Sequence, residues 1–418
     1  MVARPALRAN AGRSKGKTFD YYSECPVCGT NETHPFFALS NVPVNCSALW
    51  STKEAALGCQ LGHIELTMCS GCELIFNRRY DPQLMTYSDN YDNSLDFSSA
   101  FQIYAQELSA RLRETYRLRS KHVVEIGSGR GRFLKLLCED GTNYGVGYDP
   151  SFGGEVGGET PCVRFVQDFY ANRYASEPVD FLCCRHVLEH IEKPLDFLIN
   201  LRQMLAPHGD VVLYFEVPNA CSILTGSGLW DIIYQHVLYF TKRSLSAVFA
   251  RAGFEVVNAG TAFAGQFLFL EARLASSNSA VTRSDSGAAR GHSNLKVLTD
   301  AFGARFRDSV LAWSNYIQAA LQDKKRLAFW GAGAKGVTFL NVVPHAAQMR
   351  PVIDCNPRKA GMYVPGTGQR ILSPANLQGY EPDIVATLNP VYRQEIASML
   401  SELKIEVGIA TMPESPAS

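Results

Sequence analysis

The chain has no excess of charge of either sign and no long apolar run. Its 418 residues carry 40 basic and 40 acidic side chains, which cancel at neutral pH. A balanced composition gives no excess of positive charge to attract nucleic acid or an anionic membrane. No apolar stretch approaches the roughly twenty residues of a membrane span, and the basic first residues lack the apolar segment of a secretory signal. We therefore expect a cytoplasmic protein with neither a nucleic-acid nor a membrane partner.

Length and apolar content are what the chain does have. With 46% hydrophobic residues, it can fill the cores of two or three domains. Residues 1–17 are typical of a disordered tail, and the Ser-, Gly- and Ala-rich residues 275–294 predict a flexible linker. We expect a monomer or a small homo-oligomer.

The cysteines fall into two groups. Nothing predicts export for this chain of twelve cysteines, so disulfides are not expected. Cys25 with Cys28, and Cys69 with Cys72, form two C-x-x-C pairs about forty residues apart. Each pair can offer two thiolates to one tetrahedral ion, which predicts a four-cysteine structural Zn²⁺ site. A redox role would need only one pair, at the start of a helix.

The most informative stretch is a glycine-rich turn between apolar runs. Residues 123–131 read Val-Val-Glu-Ile-Gly-Ser-Gly-Arg-Gly, a helix-forming run begins near Phe133, and residues 145–149 form a second apolar run that closes on Asp149. A strand, a glycine turn, a helix and a strand ending in a carboxylate are typical of a βαβ nucleotide-handling unit. An ordinary strand-turn-helix without a ligand is the alternative.

The spacing of the glycines in this turn restricts the class of ligand that it can bind. Gly127, Gly129 and Gly131 permit positive φ and close approach to the backbone. A pyrophosphate site has the spacing G-x-G-x-x-G, whereas here Glu125 precedes three alternating glycines. A carboxylate at this place repels a phosphate and accepts an ammonium group.

These residues resemble the first motif of the class I S-adenosylmethionine-dependent methyltransferases. The resemblance implies that S-adenosyl-L-methionine is the cofactor, with Glu125 and the three glycines around it. It also implies that Asp149 holds the ribose hydroxyls and that Asp168 lies by the adenine amine. His186 follows the fourth predicted strand, in the loop where cofactor and substrate meet in that family.

A second informative stretch spans residues 229–241. Here His236 follows Tyr234 and Gln235 and is surrounded by aromatic residues. Because the ordinary pKa of histidine lies near neutral pH, His236 can serve as a general base or as an orienting acid. A packed core histidine is the alternative.

The last third of the chain repeats the strand-turn-helix pattern. Residues 326–336 contain a strand and the turn Gly331-Ala-Gly-Ala-Lys335-Gly336, and two further apolar runs follow, the first ending at Asp354. The pattern predicts a second Rossmann-like unit. Its spacing fits a dinucleotide, Lys335 can meet a pyrophosphate or a nucleotide-sugar phosphate, and a structural lid without a ligand is equally compatible.

Taken in order, these parts resemble the zinc-containing sugar C-methyltransferases. The predicted fold is α/β, with a class I methyltransferase Rossmann-like core, an N-terminal zinc-binding module and a C-terminal Rossmann-like domain. The corresponding ranges are residues 18–95 for the module, 96–274 for the core and 295–418 for the C-terminal substrate-binding or lid domain.

The second resemblance implies C-methylation beside the keto group of a nucleotide-linked sugar, through an enolate. His236 takes the place of the general base, and Tyr91 matches a tyrosine that shapes the sugar site. Gln235 stands where the family has a glutamate, and Ile233 stands where it has a tyrosine, with Tyr234 next to it. We group Tyr91, Tyr234 and Gln235 with His236 as candidate catalytic residues.

Other functions differ in class. Methylation of another small metabolite at O or N needs no proton removal beside a carbonyl, and His236 would then only orient the acceptor. A non-catalytic scaffold does not need both Glu125 and Asp149. An NAD-linked oxidoreductase needs a catalytic set that the sequence does not offer.

Overall fold

The computed structural model describes residues 21–85, 94–154, 161–226, 228–275 and 288–411, with side chains in the last range from residue 294. The predicted tail, residues 1–17, and Tyr91 lie outside these residues. Three sheets organise the described chain. No helix within the described ranges is long and apolar enough to cross a membrane.

The N-terminal unit is an antiparallel sheet beside two cysteine turns. Its elements are β1 Thr33–Pro43, α1 Lys53–Leu57, β2 Leu61–Cys69 and β3 Ile75–Asn77. Each C-x-x-C pair adjoins one end of a strand: β2 ends at Cys69, and β1 begins shortly after Cys28. The register places Thr33 opposite Cys69, which brings the two C-x-x-C pairs to one end of the sheet.

The central unit is a seven-stranded sheet with helices packed on it. Its elements are α2 Ser99–Thr115, β4 His122–Ile126, α3 Arg132–Leu137, β5 Tyr144–Tyr148, β6 Val163–Val166, β7 Phe181–Arg185, α4 Pro194–Leu205, β8 Val212–Pro218, α5 Ala220–Thr225, β9 Leu238–Tyr239, α6 Lys242–Arg251, β10 Phe254–Ala262 and β11 Phe267–Leu274. The order is β10-β11-β8-β7-β4-β5-β6, and the strands from β8 to β6 are parallel.

The strand order of this sheet produces a topological switch point at one edge. From β4 the chain passes to β5 and β6 on one side, and then returns to β7 on the other side of β4. In parallel α/β sheets, ligands bind outside the carboxyl ends of the strands at such a switch point. β4 and β7 are almost wholly buried, as expected of strands covered on both faces.

One strand of the central unit completes the N-terminal sheet. β9 pairs with β3 in an antiparallel manner, with Ile75 opposite Tyr239. The segment just before β9 contains His236, so the N-terminal unit fixes one side of this candidate residue.

The C-terminal unit is a parallel sheet preceded by a long helix. Its elements are α7 Ala288–Gln322, β12 Leu327–Trp330, α8 Ala334–Val342, β13 Val352–Ile353, β14 Ile371–Leu372, β15 Ile384–Thr387, α9 Arg393–Glu402 and β16 Gly408–Ala410. The order β14-β13-β12-β15-β16 gives a second switch point, between β12 and β15. Because α7 begins at Ala288, the last residues of the predicted linker are helical.

The carboxyl edges of the two parallel sheets face each other. Lys335, at the start of α8, lies with Nζ 2.8 Å from Oδ2 of Asp231, and it donates to Oε1 of Gln266 at 3.1 Å. Asn389, just after β15, also donates to Oε1 of Gln266, at 2.9 Å. Gln266 lies between β10 and β11, so these contacts join the two units at the carboxyl edges of their parallel strands.

Candidate active site

The glycine turn after β4 has one closed side and one open side. Gly127, Gly129 and Gly131 have φ of +72°, +53° and +80°, a region that other residues rarely adopt. A Cβ on Gly127 would lie 2.1 Å from Cγ2 of Val187, whereas a Cβ on Gly129 would meet no described atom within 4 Å. Gly127 is thus needed for packing, and Gly129 leaves open space for a ligand.

Asp149, directly after β5, holds this turn in place. Its Oδ2 accepts from the backbone N–H of Gly129 at 2.8 Å, and its Oδ1 accepts from the backbone and hydroxyl of Ser151 at 2.8 and 2.6 Å. Each carboxylate oxygen can accept more than one hydrogen bond. The carboxylate can therefore support the turn and still receive ribose hydroxyls.

Glu125 is a buried carboxylate with a missing partner. Its Oε2 has no hydrogen-bond partner among the described residues. Burial raises the pKa of Glu125 to about 8, although the nearby Arg185 acts in the opposite direction. A ligand ammonium group would supply the missing partner and favour the ionised form, so the site fits the amino group of S-adenosylmethionine.

Asp168 lies two residues beyond β6, on the same edge as Asp149. Its Oδ2 accepts from the hydroxyl of Tyr174 at 2.7 Å and also contacts the guanidinium of Arg173. The pKa of Asp168 is lowered, first by Tyr174 and then by Arg173. The carboxylate is ionised and partly exposed, but an adenine amine would share it with Arg173.

A buried polar cluster at the ends of β7 and β8 was not predicted. Glu216 is fully buried and contacts Arg185 at 3.1 Å, the Tyr214 hydroxyl at 2.9 Å and the Tyr104 hydroxyl. Burial acts to raise the pKa of Glu216, but Arg185, His186 and Tyr104 together lower it to about 2. The one sequence signal was an acidic residue inside an apolar strand; Tyr104, on α2, gave none.

His186 lies between this cluster and Phe267, which follows Gln266 at the start of β11. Its Nε2 lies 3.0 Å from Oε1 of Glu216, an ion-pair distance without good hydrogen-bond geometry. Its ring is 4.5 Å from that of Phe267, and its φ is +54°. A strained backbone at the switch-point edge is typical of a ligand-binding residue.

His236 is buried, and one of its nitrogens is without a partner. The residue is 7% exposed, and Nδ1 has no hydrogen-bond partner within the described part of the chain. Burial is the main cause that holds the pKa of His236 well below its ordinary value, followed by His190 and His186. The imidazole is therefore neutral at pH 7 and has a lone pair available to accept a proton.

The side chains of Tyr234 and Gln235 are directed to the N-terminal unit. The hydroxyl of Tyr234 accepts from the backbone N–H of Asp81 at 2.7 Å. Oε1 of Gln235 accepts from Sγ of Cys46 at 2.9 Å, and its Nε2 donates to Asn45 at 3.3 Å. The structure thus separates these two side chains from the imidazole of His236 and makes them anchors of its segment.

The four paired cysteines converge. Sγ of Cys25 lies 3.6 Å from that of Cys72, and Sγ of Cys69 lies 3.4 Å from that of Cys28 and 3.7 Å from that of Cys72. Four thiolates about 2.3 Å from one zinc ion would lie roughly 3.8 Å apart. The arrangement fits a single tetrahedral ion.

The glycine turn of the C-terminal unit differs from that of the core in one respect. Oδ2 of Asp354 accepts from the backbone N–H of Ala332 at 2.8 Å, as Asp149 does from Gly129. However, the same oxygen lies 3.4 Å from Nζ of the buried Lys359. The carboxylate is already neutralised, which is unfavourable for the dinucleotide alternative.

Two family models match this chain. Residues 99–259 match a methyltransferase domain, and residues 276–413 match a C-methyltransferase C-terminal domain. Together these ranges include the glycine turn, Asp149, Glu216, His236 and Lys335. No curated protein matches the chain significantly.

Solved structures of other methyltransferases are similar to part of the chain. The 1,6-didemethyltoxoflavin-N1-methyltransferase of Burkholderia thailandensis is 19% identical, with 43% of this chain and 82% of that chain covered and a TM-score of 0.31. The magnesium protoporphyrin IX methyltransferase of Synechocystis PCC 6803 is 15% identical, with 42% and 84% covered and a TM-score of 0.33. On the domain matches and the observed α/β fold, this protein is an S-adenosylmethionine-dependent methyltransferase with a class I core and a C-methyltransferase C-terminal domain.

Proposed function

We propose that the enzyme methylates the carbon next to the keto group of a nucleotide-linked sugar, through an enolate. One observation carries this proposal: a buried, neutral His236 lies near the contact between the core and a domain of the C-methyltransferase type, and its Nδ1 has no hydrogen-bond partner among the described residues. A carbon acid beside a ketone must lose a proton before it can attack a methyl group. A neutral imidazole is suited to remove it.

The carboxyl edge of the core supplies the cofactor site. In the proposal Glu125 receives the amino group, Asp149 the ribose hydroxyls and Asp168 the adenine amine, while Gly129 leaves room for the adenosine. His186 stands between this edge and the acceptor. When bound, the cofactor supplies an electrophilic methyl group.

His236 then acts on the acceptor. A ring nitrogen takes the proton from the carbon beside the ketone, and the electron pair of the broken C–H bond moves into the enolate. Lys335 brings the positive charge of the C-terminal unit to within 2.8 Å of Asp231, five positions before His236. We assign to Lys335 the binding of negative charge on the acceptor, either phosphate or enolate oxygen.

The other candidates have supporting roles. Tyr234 and Gln235 are positioning residues, because they fix the segment of His236 to Asp81, Cys46 and Asn45. Tyr91 is proposed to shape the sugar site, although it lies outside the described residues. The four-cysteine site is proposed to hold a structural Zn²⁺ that keeps the N-terminal sheet, and with it β9, in place.

The enolate step can be tested without methyl transfer. The enzyme is incubated in D₂O with S-adenosylhomocysteine and a set of nucleotide-linked keto-sugars, and the loss of the proton beside the ketone is followed by NMR. We expect exchange in the wild type and at least a hundredfold slower exchange in His236→Asn. The exposed His34→Asn is the matched control and should exchange like the wild type.

Transfer is then measured with a ¹³C-labelled methyl donor, because the shift of the new methyl signal distinguishes C–CH₃ from O–CH₃ and N–CH₃. A C–CH₃ signal that depends on His236 supports the proposal. Product methylated at O or N, or no exchange with any keto-sugar although S-adenosylhomocysteine binds, would reject the keto-sugar acceptor.

A further inference from the structure

A second group of side chains of the kinds that can hold a metal ion includes the proposed base, His236. Glu189, His190 and His236 each offer a ligand atom, and these atoms all lie within 4.8 Å of one another. The residues come from two separate segments, a 3-10 turn after β7 and the stretch before β9. These segments are joined by the backbone hydrogen bond from Val237 N–H to the Glu189 carbonyl, at 2.9 Å.

Glu189 and His236 are buried, and each has one side-chain atom that lacks, among the described residues, the hydrogen-bond partner that buried polar atoms normally have. Glu189 is 1% exposed, and its Oε2 has no hydrogen-bond partner among the described residues. Nδ1 of His236 also has no hydrogen-bond partner among these residues. The fully buried Glu216 forms an ion pair with Arg185 at 3.1 Å, whereas the ion pair of Glu189 seen among the described residues is with Nδ1 of His186, at the longer distance of 3.8 Å. Two such atoms, on side chains whose possible ligand atoms lie within 4.8 Å of one another, favour the binding of a cation.

The third ligand is already oriented. Nδ1 of His190 lies 2.7 Å from the backbone carbonyl of Gln235, so it carries the proton and donates. This leaves the lone pair of His190 on Nε2. Metal-bound histidines typically donate their other ring N–H to such an outer acceptor.

We infer that Glu189, His190 and His236 form a binding site for one divalent transition-metal ion, such as Ni²⁺, Co²⁺ or Zn²⁺, and that its occupation stops turnover. Two imidazoles and one carboxylate are a common ligand set for such ions. Bonds of about 2.1 Å would place the ligand atoms roughly 3.4 Å apart, so the side chains must draw together by little more than an ångström.

Inhibition rests on the proposed function, because it follows from the role given to His236. The neutral imidazole has one lone pair. An ion that takes this lone pair prevents the ring from accepting a proton, while the cofactor residues Glu125 and Asp149 are left unchanged.

Binding is measured first. The full-length enzyme, prepared with one zinc ion per chain, is titrated with Ni²⁺ by calorimetry, and X-ray absorption at the nickel edge identifies the ligands. We expect one Ni²⁺ per chain with nitrogen and oxygen neighbours, and at least tenfold weaker binding in Glu189→Gln and in His190→Asn. The control His34→Asn should bind Ni²⁺ like the wild type. Sulfur neighbours, or equal affinity in all variants, would overturn the site.

The effect is measured next, with the exchange assay in D₂O. Ni²⁺ should abolish exchange in the wild type, with S-adenosylhomocysteine affinity unchanged, and it should leave Glu189→Gln at least tenfold less sensitive. Activation by Ni²⁺ would overturn the inhibitory role. If no ketone exchanges but Ni²⁺ binds as described, the metal site stands and the proposed function fails. If a ketone exchanges but Ni²⁺ does not bind, the proposed function stands and the metal site alone is rejected.

Discussion

At the scale of single residues, burial sets the chemistry of His236. Desolvation penalises the charged imidazolium and lowers the pKa of His236 well below 6.5. Because a base must be unprotonated, its activity is lost only when the pH falls through this lowered pKa. Between pH 6.5 and 8 the rate of proton exchange from a bound keto-sugar should therefore be almost constant. A rate that rises steeply across this range, with a midpoint near 6.5, would exclude His236 as the base.

Burial has the opposite consequence for Glu189. It raises the pKa of this carboxyl to about 8. The protonated carboxyl therefore leaves the folded state at its full stability below the ordinary pKa of glutamate, and this stability is lost as the pH rises through 8. Glu189→Gln removes the free-energy cost of ionising a buried carboxyl at high pH. We expect the variant to increase the free energy of unfolding by about 1–3 kcal/mol at pH 8 and by much less at pH 4.5.

Chemical denaturation of the protein with one zinc ion per chain, at the two pH values, provides the test for Glu189→Gln. The exposed Glu54→Gln on α1 serves as the control, since it makes the same chemical change at the surface of the protein. An equal change at both pH values would show that Glu189 is not destabilised by its burial.

At the scale of elements, the first glycine turn depends on the carboxylate that follows β5. Asp149 accepts from the backbone N–H of Gly129 and is proposed to bind the ribose. Asp149→Ala should weaken S-adenosylhomocysteine at least a hundredfold, because it removes both the turn support and the ribose contact. Calorimetry measures this affinity. Asp140→Ala, whose side chain supports only an exposed loop, should leave it unchanged, and equal affinity in both variants would remove the ribose assignment.

The N-terminal sheet should depend on the Zn²⁺ ion that we propose for the four-cysteine site. The four cysteines offer no other cross-link among the described residues, because all are free thiols, and a small unit gains folding energy from an ion. We expect about one zinc per chain by mass spectrometry in the wild type and a loss of it in Cys69→Ser. Cys221→Ser, outside the cluster, should keep the zinc. Metal-free wild-type protein with an unchanged melting temperature would exclude a structural role.

At the scale of the whole molecule, the two parallel sheets meet at their carboxyl edges. Lys335 connects them through Asp231 and Gln266. Lys335→Met removes the charge but keeps much of the side-chain volume. We expect KM for the acceptor to rise at least tenfold while S-adenosylhomocysteine affinity stays within about twofold. The exposed Lys404→Met is the control; a normal KM in Lys335→Met would place acceptor binding elsewhere.

Much of the fold was predictable because its signals are local. The glycine turn, the acidic end of β5 and the apolar runs are each contained in a few residues, and they led to the class I methyltransferase core that the domain match and sheet order confirm. The two C-x-x-C pairs likewise gave a candidate ligand set that the structure brings together. The role of zinc and the acceptor remain predictions.

The sequence by itself thus determined the class of fold, the glycine turn and the position of the carboxylate after β5, since backbone geometry and short spacing specify them. Only the tertiary structure decided which side chains share one space. It turned Tyr234 and Gln235 away from His236, although they are adjacent in the chain, and it brought Glu189 and His190 to that histidine. The physical reason is that packing of the N-terminal sheet against the segment before β9 fixes the direction of each side chain, and no local pattern records that contact.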